Sequence, residues 1–249
     1  MTLALMVTMP EALGALRPLL GAARVHHHAG REFHSGQLGG REVVLVRSGP
    51  GRIATATTAT LLAERFGAES LLSIGVAGGL QARVRIGDVV IARGLRRHDL
   101  DAPFRTPPEG DGEAFVSDPE LSDALRAAAE AALAVERIAL AGSLAALGIA
   151  VPRVHAGLLL SGERLVASAA ENAVLQHAHP EALAVDCQGA ALAQVCRDCD
   201  LPFAVLCCVS ERADEQPPQD PGRFGAEVAG PLVATVLRAW LHGPAVPPA

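Results

Sequence analysis

The 249-residue sequence contains no lysine and no tyrosine, so all 21 of its basic residues are arginine. Without lysine the chain cannot form a Schiff base with a substrate or with pyridoxal phosphate, and it cannot supply the lysine of a Walker phosphate loop. Without tyrosine it has no phenol that could act as an acid or a nucleophile. These two absences exclude several classes of enzyme before any motif is considered.

Long uncharged apolar runs are also absent, and this limits the partners that we expect. No stretch of about 18 residues is apolar and free of charge, so we expect no transmembrane helix. Residues Met1 to Val7 lack a basic segment and lead directly to Pro10, which predicts a core strand rather than a signal peptide. The net charge is −6 and the basic dipeptide Arg96-Arg97 stands alone. We therefore expect a cytoplasmic protein that binds neither nucleic acid nor membranes.

The cysteine and histidine patterns do not predict a metal site. Cys196 and Cys199 have metal-ligand spacing, but no second pair matches them. Cys207 and Cys208 lie in an apolar strand, where alternation sends neighbouring side chains to opposite faces. We therefore expect reduced thiols. The run His26–His28 has no carboxylate or cysteine nearby, so we interpret it as a solvated connection, and we expect neither a metal nor an organic cofactor.

The alternation of apolar strands with helical segments predicts one α/β domain, because no repeat or linker interrupts it. We place this domain at residues 1–241 and expect a disordered tail at 242–249, where three prolines occur. A strand is predicted at Ser70–Ile74, ending where the glycines begin. A helix is predicted to start at Ser117-Asp118-Pro119, and residues 98–112 are predicted to form a long loop.

Two strand ends lead into glycine-rich segments, which is the most informative feature of the sequence. Ser73 to Leu80 contains three glycines within five residues, and Ser48 to Arg52 contains two. Such segments let backbone N–H groups approach a small polar ligand at the edge of an α/β sheet. Gly49-x-Gly51-x-x-Ala54 also fits a dinucleotide fingerprint, but Pro50 stiffens its turn and Val76 stands where a ribose-binding acid is expected. A third interpretation is that the glycines only permit close packing.

The order and spacing of eight segments, from about Met1 to Asp214, carry a resemblance to a known family. They are Ser35–Leu38, Ser48–Arg52, Gly75–Leu80, Val84–Val90, His98–Asp101, Gly157–Gly162 with Ala184–Ala191, and Val209–Asp214. Together they resemble the nucleoside phosphorylase/nucleosidase superfamily, and within it the 5′-methylthioadenosine/S-adenosylhomocysteine nucleosidases. The resemblance implies a central mixed, twisted sheet that is partly closed into a barrel and flanked by helices.

The resemblance also implies a homodimer that hydrolyses the N-glycosidic bond of a purine nucleoside, with the loop from His98 to Pro108 at the partner's pocket. It assigns Glu211 as the acid that protonates the leaving base, Gln188 as a ribose contact and Glu11 as a candidate base for the water. The other implied substrate-binding residues are Met9, Pro50, Val76, Ala77, Gly78, Leu165, Val166, Asp186, Cys187 and Ser210.

All three carboxylate positions of the resembled family are altered in this chain. Glu211 replaces an aspartate, Gln188 replaces a glutamate and Ala12 replaces the acid that activates the water, while Glu11 lies one residue away. A shift of one residue turns a side chain by about 100° around a helix, so Glu11 is not an automatic substitute. Two alternatives stay open: a phosphorylase that binds phosphate through Arg52, and a nucleoside-binding protein without turnover.

Overall fold

The computed structural model describes residues 2–100, 114–213 and 220–242, without the side chain of His242. The strands in these ranges are β1 (Thr2–Val7), β2 (Gly21–His28), β3 (Arg31–Leu38), β4 (Arg41–Arg47), β5 (Ser70–Gly79), β6 (Val89–Arg97), β7 (Phe115–Val116), β8 (Val154–Ser161), β9 (Ala182–Asp186) and β10 (Phe203–Arg212). The helices are α1 (Pro10–Leu16), α2 (Gly51–Glu64), α3 (Pro119–Ala139), α4 (Ala141–Ala146), α5 (Ala169–Ala178), α6 (Gly189–Asp198), α7 (Pro221–Phe224) and α8 (Gly230–His242). A 3₁₀ turn (Arg17–Leu19) follows α1, and a π-helical turn (Gly225–Ala229) joins α7 to α8.

The strands form one mixed sheet that closes partly into a barrel, which confirms the predicted α/β fold. Strands β10, β6, β8, β9 and β5 follow one another, and β5 pairs with β10 to close this ring of five. Strands β1, β4, β3 and β2 extend from β5 as an open sheet, while β7 pairs with β6. The fold is therefore a single α/β domain in which one strand, β5, belongs to both the barrel and the open sheet.

Strand β5 changes neighbours along its length. It pairs in parallel with β1 through Ser70–Ile74 and antiparallel with β9 at Gly78 and Gly79, while β10 follows it on the other edge. The prediction that the strand ends at Ile74 was therefore wrong. Pairing to β10 keeps the glycines extended, and a Cβ added at Gly79 would lie 2.7 Å from the Val84 carbonyl oxygen. Between Ile74 and Gly78, one edge of β5 faces an opening.

Helices cover both faces of the sheet over two apolar clusters. Helix α8 contacts both α1 and α3, while α2 packs against α6. Cys208 belongs to one buried cluster and Cys207 to the other, which confirms the predicted alternation. The helical stretch Pro221–Leu241 is long and apolar enough to span a membrane by length and composition, but 61% of its most apolar window is buried in this fold.

Two smaller predictions concern the start of α3 and the histidine run in β2. The Asp118 side chain accepts a hydrogen bond from the Leu121 N–H, which confirms the start of α3. His26–His28 were interpreted as a solvated connection; the strand they end, β2, is exposed as expected, but it pairs with β3, so the interpretation as a connection was wrong. Within the described ranges, no group of three histidine, cysteine or acidic side chains could hold a metal ion. All five cysteines are free.

Most of the predicted 98–112 loop, Asp214 and the tail beyond residue 242 lie outside the described residues.

Candidate active site

A cavity of about 450 Å³ opens where β5 leaves β1. The cavity is bordered by residues of β5 and β10, by residues at or just beyond the carboxyl ends of β1, β8 and β9, and by the turn before α2. The described residues that line it are Thr8, Pro50, Gly51, Ser73, Gly75, Val76, Ala77, Gly78, Glu163, Leu165, Val185, Asp186, Cys187, Gln188, Cys207, Ser210 and Glu211. Its position agrees with the general rule that ligands bind at the carboxyl ends of strands in α/β sheets.

The structure brings most of the predicted site residues into this one cavity. Glu211, Gln188, Asp186, Cys187, Ser210, Pro50, Val76, Ala77, Gly78 and Leu165 all line it. Ser73, Gly75 and Cys207, which are buried in the lining, and Glu163, which is exposed, were not predicted from the sequence as site residues. Strand alternation could have found the first two, because residues 73, 75 and 77 point to the same side of β5.

A β-bulge positions Glu211. The pairing of β10 with β5 shifts register between Val209 and Glu211, so Ser210 is the extra residue. Such a bulge re-aims the side chains that follow it. A Cβ added at Gly78 would lie 3.7 Å from Glu211 Cγ, so the side chain passes over a residue that has no side chain of its own. Burial raises the pKa of the Glu211 carboxyl. This carboxyl can therefore hold a proton to higher pH than an exposed glutamate and donate it inside the cavity.

Asp186 anchors the beginning of α6. Its two carboxylate oxygens accept hydrogen bonds from the Gly189 N–H at 3.1 and 2.9 Å. Ser161 connects β8 to the same point, because its Oγ accepts from the Ala190 N–H at 3.1 Å and its hydroxyl also bonds Asp186. Burial raises the pKa of Asp186 to about 6, and the hydrogen bonds oppose that rise only in part. The carboxyl group thus fixes the turn that presents Cys187 and Gln188 to the cavity.

Gln188 presents an unused acceptor to the cavity. Its Nε2 donates to the Gly49 carbonyl oxygen at 3.4 Å, which ties it to the glycine turn before α2. Its Oε1 is buried and has no hydrogen-bond partner within the described part of the chain. A buried acceptor without a donor carries an uncompensated desolvation cost. A ligand hydroxyl would remove this cost by donating to Oε1.

The cavity is acidic. Glu163, Asp186 and Glu211 line it, and none of its described lining residues is arginine or histidine. Arg52 lies beside the opening, but its guanidinium is paired: Nε lies 2.7 Å from Glu163 Oε2, and Nη1 lies 3.3 Å from Asp99 Oδ2. The site therefore favours a ligand in which positive charge is present or develops.

Four residues that the sequence comparison with the family singled out lie away from the described lining of this cavity: Met9, Glu11, Ala12 and Val166. Ala12 is fully buried in a core cluster with Met9 packed against that cluster, and Val166 is buried under α5 with Leu80. The Glu11 side chain turns towards the π-helical turn, since a Cβ added at Gly225 would lie 3.0 Å from Glu11 Cδ. A glycine at position 225 leaves room for this carboxylate.

The raised pKa of Asp186 predicts a specific effect of pH on stability. The folded state holds this proton up to about pH 6, whereas an unfolded aspartate loses it near pH 4. Ionisation in that window therefore destabilises the wild-type fold as the pH rises. The full shift corresponds to roughly 3 kcal/mol at about 1.4 kcal/mol per pKa unit. Asp186→Asn does not titrate, so its unfolding free energy should rise relative to wild type between pH 4 and 7.

Urea unfolding followed by the fluorescence of Trp240, the single tryptophan, measures this difference at each pH. A difference between variant and wild type that stays constant from pH 4 to 7 would contradict the raised pKa.

The sequence from residue 2 to residue 241 matches the family described as the phosphorylase superfamily. A 5′-methylthioadenosine/S-adenosylhomocysteine nucleosidase of Mycobacterium bovis is 32% identical over 95% of this chain and 96% of its own length. The Streptococcus pneumoniae nucleosidase of that name, solved with a transition-state inhibitor, superposes with a TM-score of 0.80 at 28% identity, covering 97% of this chain and 99% of its own. The Neisseria meningitidis nucleosidase, solved with methylthio-immucillin-A, gives 0.79 at 28% identity, covering 96% and 99%. The chain thus belongs to the phosphorylase superfamily.

Proposed function

We propose that this protein hydrolyses the N-glycosidic bond of a purine nucleoside such as 5′-methylthioadenosine or S-adenosylhomocysteine and releases the free base. One observation of the structure supports this most: Glu211, a carboxyl whose pKa is raised by burial, lies in the same cavity as the unpartnered acceptor of Gln188. The relatives named above are nucleosidases over nearly the whole length of the chain, and this supports the same reaction class.

The reaction needs a proton for the leaving base and stabilisation for the sugar. The C–N bond breaks through a cationic sugar that is weakly bonded to both partners, so the departing purine must be protonated on a ring nitrogen. Glu211 supplies that proton. Gln188 Oε1 accepts a hydrogen bond from a ribose hydroxyl, and the ionised fraction of the acidic lining opposes the positive charge that develops on the sugar. The backbone of Val76 to Gly78 lies against the base.

Few of the described lining residues can bind or activate the attacking water molecule. Ala12 carries no functional group, and Glu11 lies against Gly225 rather than along the described lining. The hydroxyl groups of Thr8 and Ser73 line the cavity and can hold a water by hydrogen bonds. Because the sugar in the transition state is already cationic, a weakly activated water suffices. The reaction as proposed uses neither a metal ion nor an organic cofactor.

The charge of the site favours hydrolysis over phosphorolysis. Phosphate would carry one or two negative charges into a cavity lined by three acidic residues. Arg52, the arginine that the phosphorylase alternative requires, already faces the carboxylates of Asp99 and Glu163. Charge repulsion therefore opposes phosphate binding, whereas a neutral water is unaffected.

We also propose a homodimer formed around the mouth of the cavity and located in the cytoplasm. Ile53, Leu165 and Val174 are large apolar residues with exposed fractions of 77%, 61% and 68%. Leu165 lines the cavity, and Val174 lines an adjoining recess with His98. Exposed apolar surface of this kind is typical of protein interfaces. The free cysteines agree with a reducing compartment, which cell fractionation tests.

Base release measures the proposed activity directly. We expect the wild-type protein to liberate adenine from 5′-methylthioadenosine in the complete absence of phosphate. Glu211→Gln cannot donate the proton and should lower kcat by roughly 10²–10⁴. Glu11→Gln, the matched control on a carboxylate outside the described lining, should stay within about tenfold of wild type, because a general base contributes about 10² or more.

Release that requires phosphate would establish the phosphorylase alternative, and calorimetric binding without release would establish a binding protein. A loss above tenfold in Glu11→Gln would show that this carboxylate reaches the water, as the resemblance implies.

Dimerisation has its own test. Light scattering should give a mass near twice the 25.6 kDa of the chain. Leu165→Glu should shift the protein towards monomer, because it places a charge in the apolar contact, whereas Val151→Glu changes an exposed apolar residue elsewhere and should leave the mass unchanged. A wild-type monomer at micromolar concentration would contradict the proposed dimer.

A further inference from the structure

Three charged side chains form a cluster at the mouth of the cavity. Arg52 lies between two carboxylates, with Nε 2.7 Å from Glu163 Oε2 and Nη1 3.3 Å from Asp99 Oδ2. Asp99 Oδ2 also accepts a hydrogen bond from the Glu163 N–H at 2.8 Å, which fixes the backbone next to the cavity. We call Arg52, Asp99 and Glu163 the mouth cluster. It joins the beginning of α2 to the segments that follow β6 and β8.

The mouth cluster has groups of both signs that remain available to a ligand. Side-chain exposure is 41% for Arg52 and 49% for Glu163. Among the described residues, Arg52 Nη2 has no hydrogen-bond acceptor and Glu163 Oε1 has no donor, since the contacts of these side chains use Nε, Nη1 and Oε2. A carboxylate can therefore approach the outer edge of the guanidinium, while an ammonium group approaches Glu163.

The helix behind Arg52 adds to the attraction for a carboxylate. Helix α2 has 14 residues, begins at Gly51, and has neither a capping side chain nor an acidic residue in its first turn. Its first N–H groups therefore keep their partial positive charge. Gly51 itself lines the cavity, so this end of the helix faces the ligand space.

The cluster lies where a long substituent would leave the cavity. Ser73, Cys207 and Asp186 form a buried end, whereas Pro50 and Glu163 are exposed. A nucleoside whose base reaches Glu211 and whose ribose reaches Gln188 therefore extends a long 5′ chain towards the mouth of the cavity, which the proposed dimer borders.

We propose that the mouth cluster is a binding site for the α-amino-acid end of a 5′ substituent, with the carboxylate on Arg52 and the ammonium on Glu163. This inference rests on the proposed function and selects S-adenosylhomocysteine-type nucleosides from the substrates considered there. In the ligand, the ammonium and carboxylate groups are bonded to the same carbon atom. In the protein, Arg52 and Glu163 likewise lie side by side. A zwitterion adds no net charge to the site, whereas phosphate would face Asp99 and Glu163 with no positive charge of its own.

A series of four 5′-thioadenosines separates the two charges of the ligand. Their substituents are methyl, homocysteinyl, 3-carboxypropyl, which lacks the ammonium, and 3-aminopropyl, which lacks the carboxylate. Each kcat/KM is divided by the value for the methyl compound in the same variant, so a general loss of activity cancels. The variants are Arg52→Gln and Glu163→Gln. Arg164→Gln is the control, because it removes an arginine that pairs with Glu171 away from the cavity.

Loss of one charge-assisted hydrogen bond at a partly exposed site should lower a ratio by about fivefold or more. We expect Arg52→Gln to lower the ratio for the homocysteinyl and carboxypropyl compounds but not for the aminopropyl compound. Glu163→Gln should lower it for the homocysteinyl and aminopropyl compounds only. Arg164→Gln should change none, and 0.5 M salt should reduce the wild-type preference.

Ratios that stay constant in both variants, or that fall equally for all three substituents, would overturn the proposal and leave the cluster a structural link between α2 and β8. If wild type releases no base from any of the four compounds, the proposed function fails independently. Calorimetric affinities for the same four compounds then test the mouth cluster, with the same pattern expected in Kd.

Discussion

The site depends on a single constraint in the sheet: β5 cannot keep β1 and β9 on the same edge. Its first half pairs with β1 and its last residues pair with β9, while β10 accompanies it throughout. The opening between these two pairings is the cavity. Glycines at 75, 78 and 79 suit this arrangement, because an added Cβ at 79 would strike the Val84 carbonyl oxygen, one at 75 would crowd Thr8, and one at 78 would fill the space under Glu211.

The chemistry of the site depends on which of its charged groups are not already paired with other side chains. Arg52, which lies beside the cavity, is engaged by two carboxylates, and the acidic residues of the lining differ in their roles. Asp186 accepts hydrogen bonds at the N-terminus of α6 and thereby orients Cys187 and Gln188. Glu211 has few polar contacts, and burial raises its pKa, so it holds a proton to higher pH than an exposed glutamate does. Gln188 recognises hydroxyl groups without adding charge. Proton donation and charge stabilisation are therefore divided between residues that differ mainly in their surroundings.

Much of this arrangement could be predicted from the sequence, for identifiable reasons. The start of α3 follows from the local capping chemistry of Asp118 and Pro119. The fold was predicted from the order of several motifs. The extent of β5 was not, because glycine normally weakens a strand and only the partner strand β10 overrides that tendency. The strand at His26–His28 was missed because edge pairing to β3, not residue type, determines it.

Some of the site residues could likewise be predicted from the sequence, whereas others could not. Glu211, Gln188 and Pro50 lie at strand ends or turns and were found from the sequence, whereas Cys207 and Ser73 become lining residues only through the closure of the barrel. The Glu163–Arg52–Asp99 contacts join three separate segments of the chain, so no local pattern could reveal them. The direction of Glu11 depends on the space that Gly225 provides across the fold.

The central claim is that Glu211 acts by protonating the leaving base, and a change of leaving group tests it most directly. Rates of wild type and Glu211→Gln are compared on a purine nucleoside and on 4-nitrophenyl riboside, whose phenolate leaves without a proton. The account predicts that the substitution costs the nitrophenyl compound less than about tenfold, whereas the purine nucleoside loses the full contribution of the acid, roughly 10² or more. Equal losses on the two compounds would contradict it, because they would show that Glu211 serves binding or structure and not proton transfer.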